Sequence, residues 1–268
     1  MTRETLGCFM LVKNEAGFIR QWLSHLLPFV DEFALFDGNS TDGTIDIIAD
    51  FERNHSCGRK INLYQGKDPA DLQDSYARMF NDCLHSLRTD WAFFCHPDME
   101  VENPGDIPIF LENSHGKFAA FTKMRSFAGN PGAQLYEIKT GRADRWKNIY
   151  RLKNPNLGAY YWGSYGHADE DVYFKAITGN EHKHCGPFLD AYPYEVIDSG
   201  LKIKHYSDVR DFNRRFGRMK TSLLNQGKPE NRAAELAAIH PRVTLKSGDG
   251  FEFAPVEIPE YLKHEVMV

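Results

Sequence analysis

Apolar and polar positions along this chain fall into blocks that read as strand and helix in turn. Phe9, Met10, Leu11 and Val12 form a continuous apolar run of the kind carried by a strand buried on both faces. Phe18, Ile19, Trp22, Leu23, Leu26 and Leu27 then recur at three- and four-residue spacing, which places them on one face of a helix. A second strand is predicted over 33–36, and Ile45, Ile48 and Phe51 mark a second helix ending near residue 54. A strand over 61–64 follows, then a helix over 70–87 with Leu72, Tyr76, Met79, Phe80, Cys83, Leu84 and Leu87 in one stripe. The apolar run at 91–95 is the next strand. Strands alternating with helices predict an α/β domain with a Rossmann-like, doubly wound and largely parallel sheet.

Beyond Pro104 the pattern changes. Strands over 118–122, 148–152 and 196–205 are separated by Gly-rich and aromatic loops, which predicts a mixed second half continuous with the first sheet. A helix over 208–224 carries Val209, Phe212, Phe216, Met219 and Leu223 on one face. The division is therefore a main domain over 1–224, with halves at 1–100 and 101–206 and a basic helix at 207–224. Residues 225–268 form a C-terminal extension with a short Ala-rich helix and an irregular tail. No internal repeat, low-complexity tract or long linker interrupts this order.

Composition supports a folded protein with a substantial core, since 42% of the 268 residues are hydrophobic and 13% aromatic. The five cysteines, at 8, 57, 83, 95 and 185, include no Cys-x-x-Cys pair, which argues against a disulfide framework or zinc knuckle and for a reducing, cytoplasmic setting. No apolar run approaches a membrane span. The start of the chain is expected to lead directly into strand one, and no signal peptide is visible in it. The formal net charge of −5 does not favour nucleic-acid binding. Between Gly200 and Arg232, however, nine Lys or Arg face three Asp or Glu, a local basic patch suited to phosphates, anionic lipid or an acidic acceptor.

Candidate chemistry begins where the first two strands end. In open α/β sheets the ligand crevice lies outside the carboxyl ends of the strands. Lys13-Asn14-Glu15 follows strand one, and strand two ends in Asp37-Gly38-Asn39-Ser40-Thr41-Asp42-Gly43-Thr44, so Asp37 is placed to meet a nucleotide. These two motifs, in this order, resemble the family 2 glycosyltransferases, whose GT-A fold opens with a Val-Lys-Asn-Glu strand end and an Asp-x-Gly-Ser-Thr-Asp-Gly-Thr turn. Asn39 replaces glycine, and asparagine is among the few residues that tolerate a left-handed backbone. The resemblance implies that Asp37 and the segment Val12, Lys13, Asn14 and Glu15 hold the base and ribose of a nucleotide-sugar donor. Thr41 and Asp42 read as caps for the second helix.

His96-Pro97-Asp98 stands where the resembling family carries an Asp-x-Asp motif. A departing nucleotide diphosphate carries charge that a divalent cation held by oxygen ligands neutralises. Asp98 is the expected ligand to Mn²⁺ or Mg²⁺, with Glu100 as a helper. His96 stands open between a ribose contact, a ligand in a Mn²⁺-type site and a sign of weaker metal dependence. His205-Tyr206-Ser207 resembles a stretch in which the histidine completes the metal shell, and Arg210, with Arg214 and Arg215, is placed to reach the diphosphate. The run 166–174 resembles a Glu-Asp-Val-x-Phe segment carrying the catalytic base of an inverting transfer. Register puts Asp171 first and Asp169 second, with Glu170 between them. Tyr160, Tyr161, Trp162, Tyr165, Trp146 and Tyr150 are aromatic candidates for stacking on sugar rings. The short cluster Glu181, His182, His184 and Cys185 lacks a distant partner pair and reads as a loop.

The implied protein is a GT-A glycosyltransferase, hexosyltransferase-like, moving a sugar from a UDP-type donor to a hydroxyl acceptor with inversion and metal assistance. The acceptor is left open among glycan, lipid-linked sugar, protein and modified nucleic acid. Two other readings compete with it. A nucleotidyltransferase on a related sheet would show a Gly-rich, basic phosphate loop after strand one, which Lys13-Asn14-Glu15-Ala16 lacks. A catalytically silent nucleotide-sugar or glycan-binding module is motivated by His96.

Overall fold

The computed structural model describes residues 3–55, 60–66, 82–130, 134–139, 144–152, 162–163, 186–187, 196–209 and 252–259. In chain order the strands and helices begin with β1 (Leu6–Val12), α1 (Ala16–Leu26), β2 (Glu32–Asp37), α2 (Thr44–Asn54), β3 (Lys60–Gln65), β4 (Trp91–Phe94) and β5 (Met99–Val101). They continue with α3 (Ile107–Asn113), β6 (Ala119–Asn130), β7 (Gln134–Lys139), β8 (Asp144–Arg151), β9 (Trp162–Gly163), β10 (Gly186–Pro187), β11 (Val196–Val209) and β12 (Glu252–Val256). The chain forms two compact units. One draws on Met1–Pro97, Asn103–Thr122 and Lys147–Leu201, the other on Asp98–Glu102, Lys123–Trp146 and Lys202–Val268.

In the first unit the strand order runs β8-β4-β1-β2-β3. β3, β2, β1 and β4 are parallel, and β8 joins β4 antiparallel, so the sheet is mixed. β1 lies between two parallel neighbours and is buried along almost its whole length, which is why its sequence is a continuous apolar run rather than an alternation. α1 buries the expected stripe of Phe18, Ile19, Trp22, Leu23 and Leu26. Trp22 meets Phe33 of β2 edge-on at 5.5 Å between ring centres, and Phe9 of β1 meets Phe94 of β4 at 5.5 Å. In α2 the buried positions are Thr44, Ile48 and Phe51, with Ile45 only half-buried. Residues 82–86 are helical and bury Cys83 and Leu84, while 70–81 of the expected 70–87 helix lie outside the described residues.

α3 is an element that the sequence reading did not include. Ile107, Phe110 and Leu111 are its buried face, and Pro108 sits in the first turn, where a missing N–H costs nothing.

Arg151, the last residue of β8, organises the lower edge of this unit. Its guanidinium makes a bidentate pair with Glu4 at 2.7 and 2.9 Å, donates to the carbonyls of Lys117 and Ser114, and lies 4.5 Å over the Trp91 ring. The Trp91 indole N–H also donates to Glu4, at 2.8 Å. Burial alone would raise the Glu4 carboxyl, but the hydrogen bonds from Arg151 and Trp91 outweigh it and hold Glu4 below the usual carboxylate range.

In the second unit, β12, β7 and β6 pair antiparallel, with Phe253 opposite Ile138 and Phe127 opposite Glu137. β5 pairs antiparallel with β11, Glu100 opposite Lys204 and Met99 opposite His205. Two expectations change here. The tail of the C-terminal extension is not wholly irregular, because it supplies β12. The helix expected from 208 does not begin there, because β11 continues through Asp208 and Val209. Along β11 the burial alternates, with Ser199, Leu201 and Ile203 inside and Gly200 and Lys202 exposed, the period of a strand. Residues 210–224 lie outside the described residues.

Candidate functional site

The turns after β1 and β2 are laced together by two hydroxyl relays. The Asn14 N–H donates to Ser40 Oγ at 2.8 Å, and that hydroxyl donates in turn to Asp37 Oδ1 at 2.5 Å. The Glu15 N–H donates to Thr44 Oγ1 at 2.8 Å, and that hydroxyl donates to Asp42 Oδ1 at 2.5 Å. Asp42 Oδ2 accepts the N–H of Ala16, the first residue of α1, at 3.0 Å, while Oδ1 also accepts the N–H of Thr44, the first residue of α2, at 3.1 Å. One carboxylate therefore satisfies first-turn donors of both helices, where negative charge also suits the helix dipoles. This extends the expected capping role of Asp42 across two elements. Thr41 caps nothing by its side chain; its N–H instead donates to Asn14 Oδ1 at 2.8 Å.

The backbone follows the side chains. Asn39 has φ of 65°, the left-handed conformation its tolerance allows at the glycine position. Asn14 also lies in this region, with φ of 54°, and no reading of the sequence singled that out. Gly43, at φ 90°, immediately precedes α2.

The expected donor contacts occupy distinct positions. The Val12 side chain is in the core, and its carbonyl accepts the Gly38 N–H at 2.9 Å. Asp37 is fully buried, its carboxylate turned onto the Ser40 hydroxyl and the Ser40 N–H. Asn14 and Glu15 are half-buried at the mouth of the turn. Because Thr44 is fully buried, Thr44→Val leaves the Glu15 N–H without an acceptor in the same volume. The expected result is a loss of about 2 kcal/mol. A urea titration checks it: the midpoint falls with an unchanged slope, and a wild-type midpoint would show that the relay adds nothing.

His96 lies beyond the carboxyl end of β4, half-buried, its ring edge-on to Phe94 at 4.7 Å. In the second unit, Asp98 is 3% exposed and faces His205, with Nε2 to Oδ1 at 3.9 Å, beyond hydrogen-bond distance. The Tyr206 N–H donates to the Asp98 carbonyl at 2.8 Å, which registers the two segments. Glu100 accepts from Lys204 Nζ at 3.3 Å and from the Tyr206 hydroxyl at 3.1 Å. Glu102 pairs with Arg125 at 3.3 Å, and Arg125 also grips Glu137 with two parallel N–H donors. Three carboxylates at alternate positions thus each meet a basic group. Only that of Asp98 is an imidazole, which alone among the three offers a lone pair to a metal.

The donor set of Asp98 and His205, one hard oxygen and one imidazole nitrogen, fits a Mn²⁺-type ion. A Mg²⁺-type ion takes one or two carboxylates and completes its shell with substrate phosphates. Among the described residues no group of three His, Cys, Asp or Glu gathers as a metal site. Glu100, held against an ammonium, is poorly suited to join a second cation.

Asp169, Glu170, Asp171 and Arg210 lie outside the described residues, as do Arg214, Arg215, Tyr160, Tyr161, Tyr165 and the cluster at 181–185. Of the aromatic candidates, Tyr150 is 2% exposed and belongs to the core rather than to a stacking surface. Cys8, Cys83 and Cys95 are buried free thiols. Burial, with the Asp82 charge adding to it, pushes Cys83 up to about 12, so it stays protonated. No helix among the described residues is long and apolar enough to cross a membrane.

No protein-family model matches the chain, and no curated protein matches it by sequence. Several solved structures resemble it. Mannosyltransferase PcManGT from Pyrobaculum calidifontis, in complex with GDP-Man and Mn²⁺, aligns at a TM-score of 0.46 and 12% identity over 92% of this chain and 77% of that one. TarS 1-349 of S. aureus, in complex with UDP, aligns at 0.45 and 14% identity over 87% of this chain and 70% of that one. GalNAc-T7 with UDP, GalNAc and Mn²⁺ aligns at 0.44 and 9% identity over 90% of this chain and 54% of that one. The chain itself is a mixed α/β sheet with helices.

Proposed function

We propose that this protein is an inverting glycosyltransferase of the GT-A type that moves a sugar from a UDP-sugar to a hydroxyl acceptor with Mn²⁺ or Mg²⁺. One observation carries the reading over the nucleotidyltransferase alternative. Phosphate loops after a first strand work by offering successive backbone N–H groups to the anion. Here the amides of Asn14, Glu15 and Ala16 are all spent on Ser40, Thr44 and Asp42. A turn so closed supports recognition of base and ribose at its rim by Asn14 and Glu15, with Asp37 buried behind them and holding Ser40. It leaves the diphosphate charge to be met elsewhere, for which Asp98 and His205 are the candidates, with Arg210. A bound divalent cation would supply charge neutralisation for the departing diphosphate. His96 is assigned to the ribose or to that ion. The cysteine content fits a cytoplasmic enzyme.

The acceptor hydroxyl needs a carboxylate to take its proton as it attacks, and Asp171 is assigned that role, with Asp169 as the substitute and Glu170 beside them. Asp171→Asn is expected to lower turnover about a hundredfold while leaving UDP affinity nearly unchanged, because a general base acts on the transition state. Asp169→Asn is expected to do much less. Interchanged phenotypes would move the base to Asp169, and two fully active variants would remove the base from this segment. The parent reading is tested by a donor screen with purified protein, Mn²⁺ and Mg²⁺. Release of UDP from a UDP-sugar supports it; UDP-sugar binding with no turnover on any acceptor class supports the silent module instead.

A further inference from the structure

Asn148 of β8 is fully buried, a position where an aliphatic residue would pack without polar cost. Its Nδ2 donates to the carbonyl of Phe94 at 3.2 Å. Its Oδ1 meets no hydrogen-bond partner among the described residues, which carries a penalty a leucine would not have. The placement says what the cost is for. The β4–β8 ladder runs from Trp91 opposite Arg151 to Phe93 opposite Ile149. At the next position the amide side chain of Asn148 holds the Phe94 carbonyl as the chain leaves the sheet toward His96. The Phe94 ring packs against Phe9 of β1 at 5.5 Å and meets the His96 imidazole at 4.7 Å.

We propose that Asn148 is a positioning residue for His96: by clamping the Phe94 carbonyl where β4 ends, it sets the ring against which the imidazole is oriented. The inference deepens the nucleotide-sugar reading, in which His96 touches the ribose or the metal, but it concerns geometry that can be measured without any donor.

The experiment compares the full-length wild type with Asn148→Leu and Asn148→Val by NMR of the imidazole ¹H–¹³C cross-peaks, with His96→Gln identifying the His96 signal. Asn148→Leu removes the unpartnered oxygen together with the donor to the Phe94 carbonyl, two opposing effects, so it is expected to fold with a melting temperature close to wild type. Its His96 cross-peak shifts, while those of His25 and His55 stay in place. Asn148→Val, which is smaller and likewise offers no donor to the carbonyl, is expected to shift the same cross-peak and serves if the leucine variant fails to fold. An unmoved His96 signal in a folded variant overturns the proposal, as would equal shifts across all histidines, which would mark a general loosening. UDP titrated with Mn²⁺ then separates the two readings. Affinity lowered about tenfold in both His96→Gln and Asn148→Leu supports the joint picture. A shifted His96 signal with UDP affinity unchanged in His96→Gln leaves the positioning role standing and takes His96 out of the nucleotide site.

Discussion

On the proposed glycosyltransferase reading, Asp98→Asn is expected to lower sugar transfer by about a thousandfold at saturating donor and acceptor, equivalent to roughly 4 kcal/mol of transition-state stabilisation. The substitution keeps the size and one oxygen of the side chain, so the backbone bond from the Tyr206 N–H to the Asp98 carbonyl is untouched. What disappears is a full negative charge in a place that is 3% exposed to water, where solvent does little to replace it. His205, 3.9 Å away, keeps its lone pair but has no hard anionic partner with which to share a divalent ion. Calorimetry checks the accompanying sign: UDP binding is expected to strengthen with Mn²⁺ in the wild type and to be insensitive to it in the variant. Transfer at the wild-type rate would remove Asp98 from the reaction. Glu100→Gln, by contrast, falls on a carboxylate already held by Lys204 and Tyr206, and its effect on metal dependence is expected to be small.

Arg151→Ala is expected to destabilise the protein by about 3 kcal/mol, the range for removing one partner from an ion pair largely withdrawn from water. The loss is compound. Glu4 forfeits two charge-assisted bonds, the carbonyls of Ser114 and Lys117 lose their donor, and Trp91 loses the guanidinium over its ring. Urea titration at pH 7 reads the difference as a lowered midpoint. The pH dependence has a definite sign. Because Glu4 is held below the usual carboxylate range, its pairing contributes fully above the ordinary glutamate value of about 4.3 and is lost as pH falls through the lowered folded value. The gap between wild type and variant therefore narrows in acid. A gap that stayed constant between pH 7 and pH 3 would place the stabilisation in packing over Trp91 rather than in the ion pair.

What the sequence discloses depends on the range over which each signal acts. The run from Phe9 to Val12 and the stripe on α1 are visible because burial on two faces and on one face leave different periods in the local residues. The left-handed Asn39 is visible because only a few residue types replace glycine in such a turn. The relays are not, since Ser40 and Thr44 read as turn and cap residues until the segment at Asn14 and Glu15 is folded against them. The same holds for Arg151 and Glu4, whose attraction has no local trace. β12 is short and carries Pro255, which reads as a strand breaker and is accommodated opposite Tyr136 on β7. Only the resemblance points to His205 in the sequence, and its meeting with Asp98 follows from the pairing of β11 with β5.

The pairing of β12 with β7 sets an order of assembly. Glu252 lies opposite Lys139, so the loop that must close before the first of these ladder bonds forms exceeds a hundred residues. β1, β2, β3 and β4, by contrast, lie within the first 94 residues and are joined by short crossovers. On a ribosome adding about 5–20 residues per second, the parallel core has seconds to form before β12 emerges. During that interval β7 carries an open edge, a surface on which nascent chains stray into intermolecular pairing. Synthesis that stalls before residue 252 should therefore yield aggregation-prone fragments with an already structured N-terminal core.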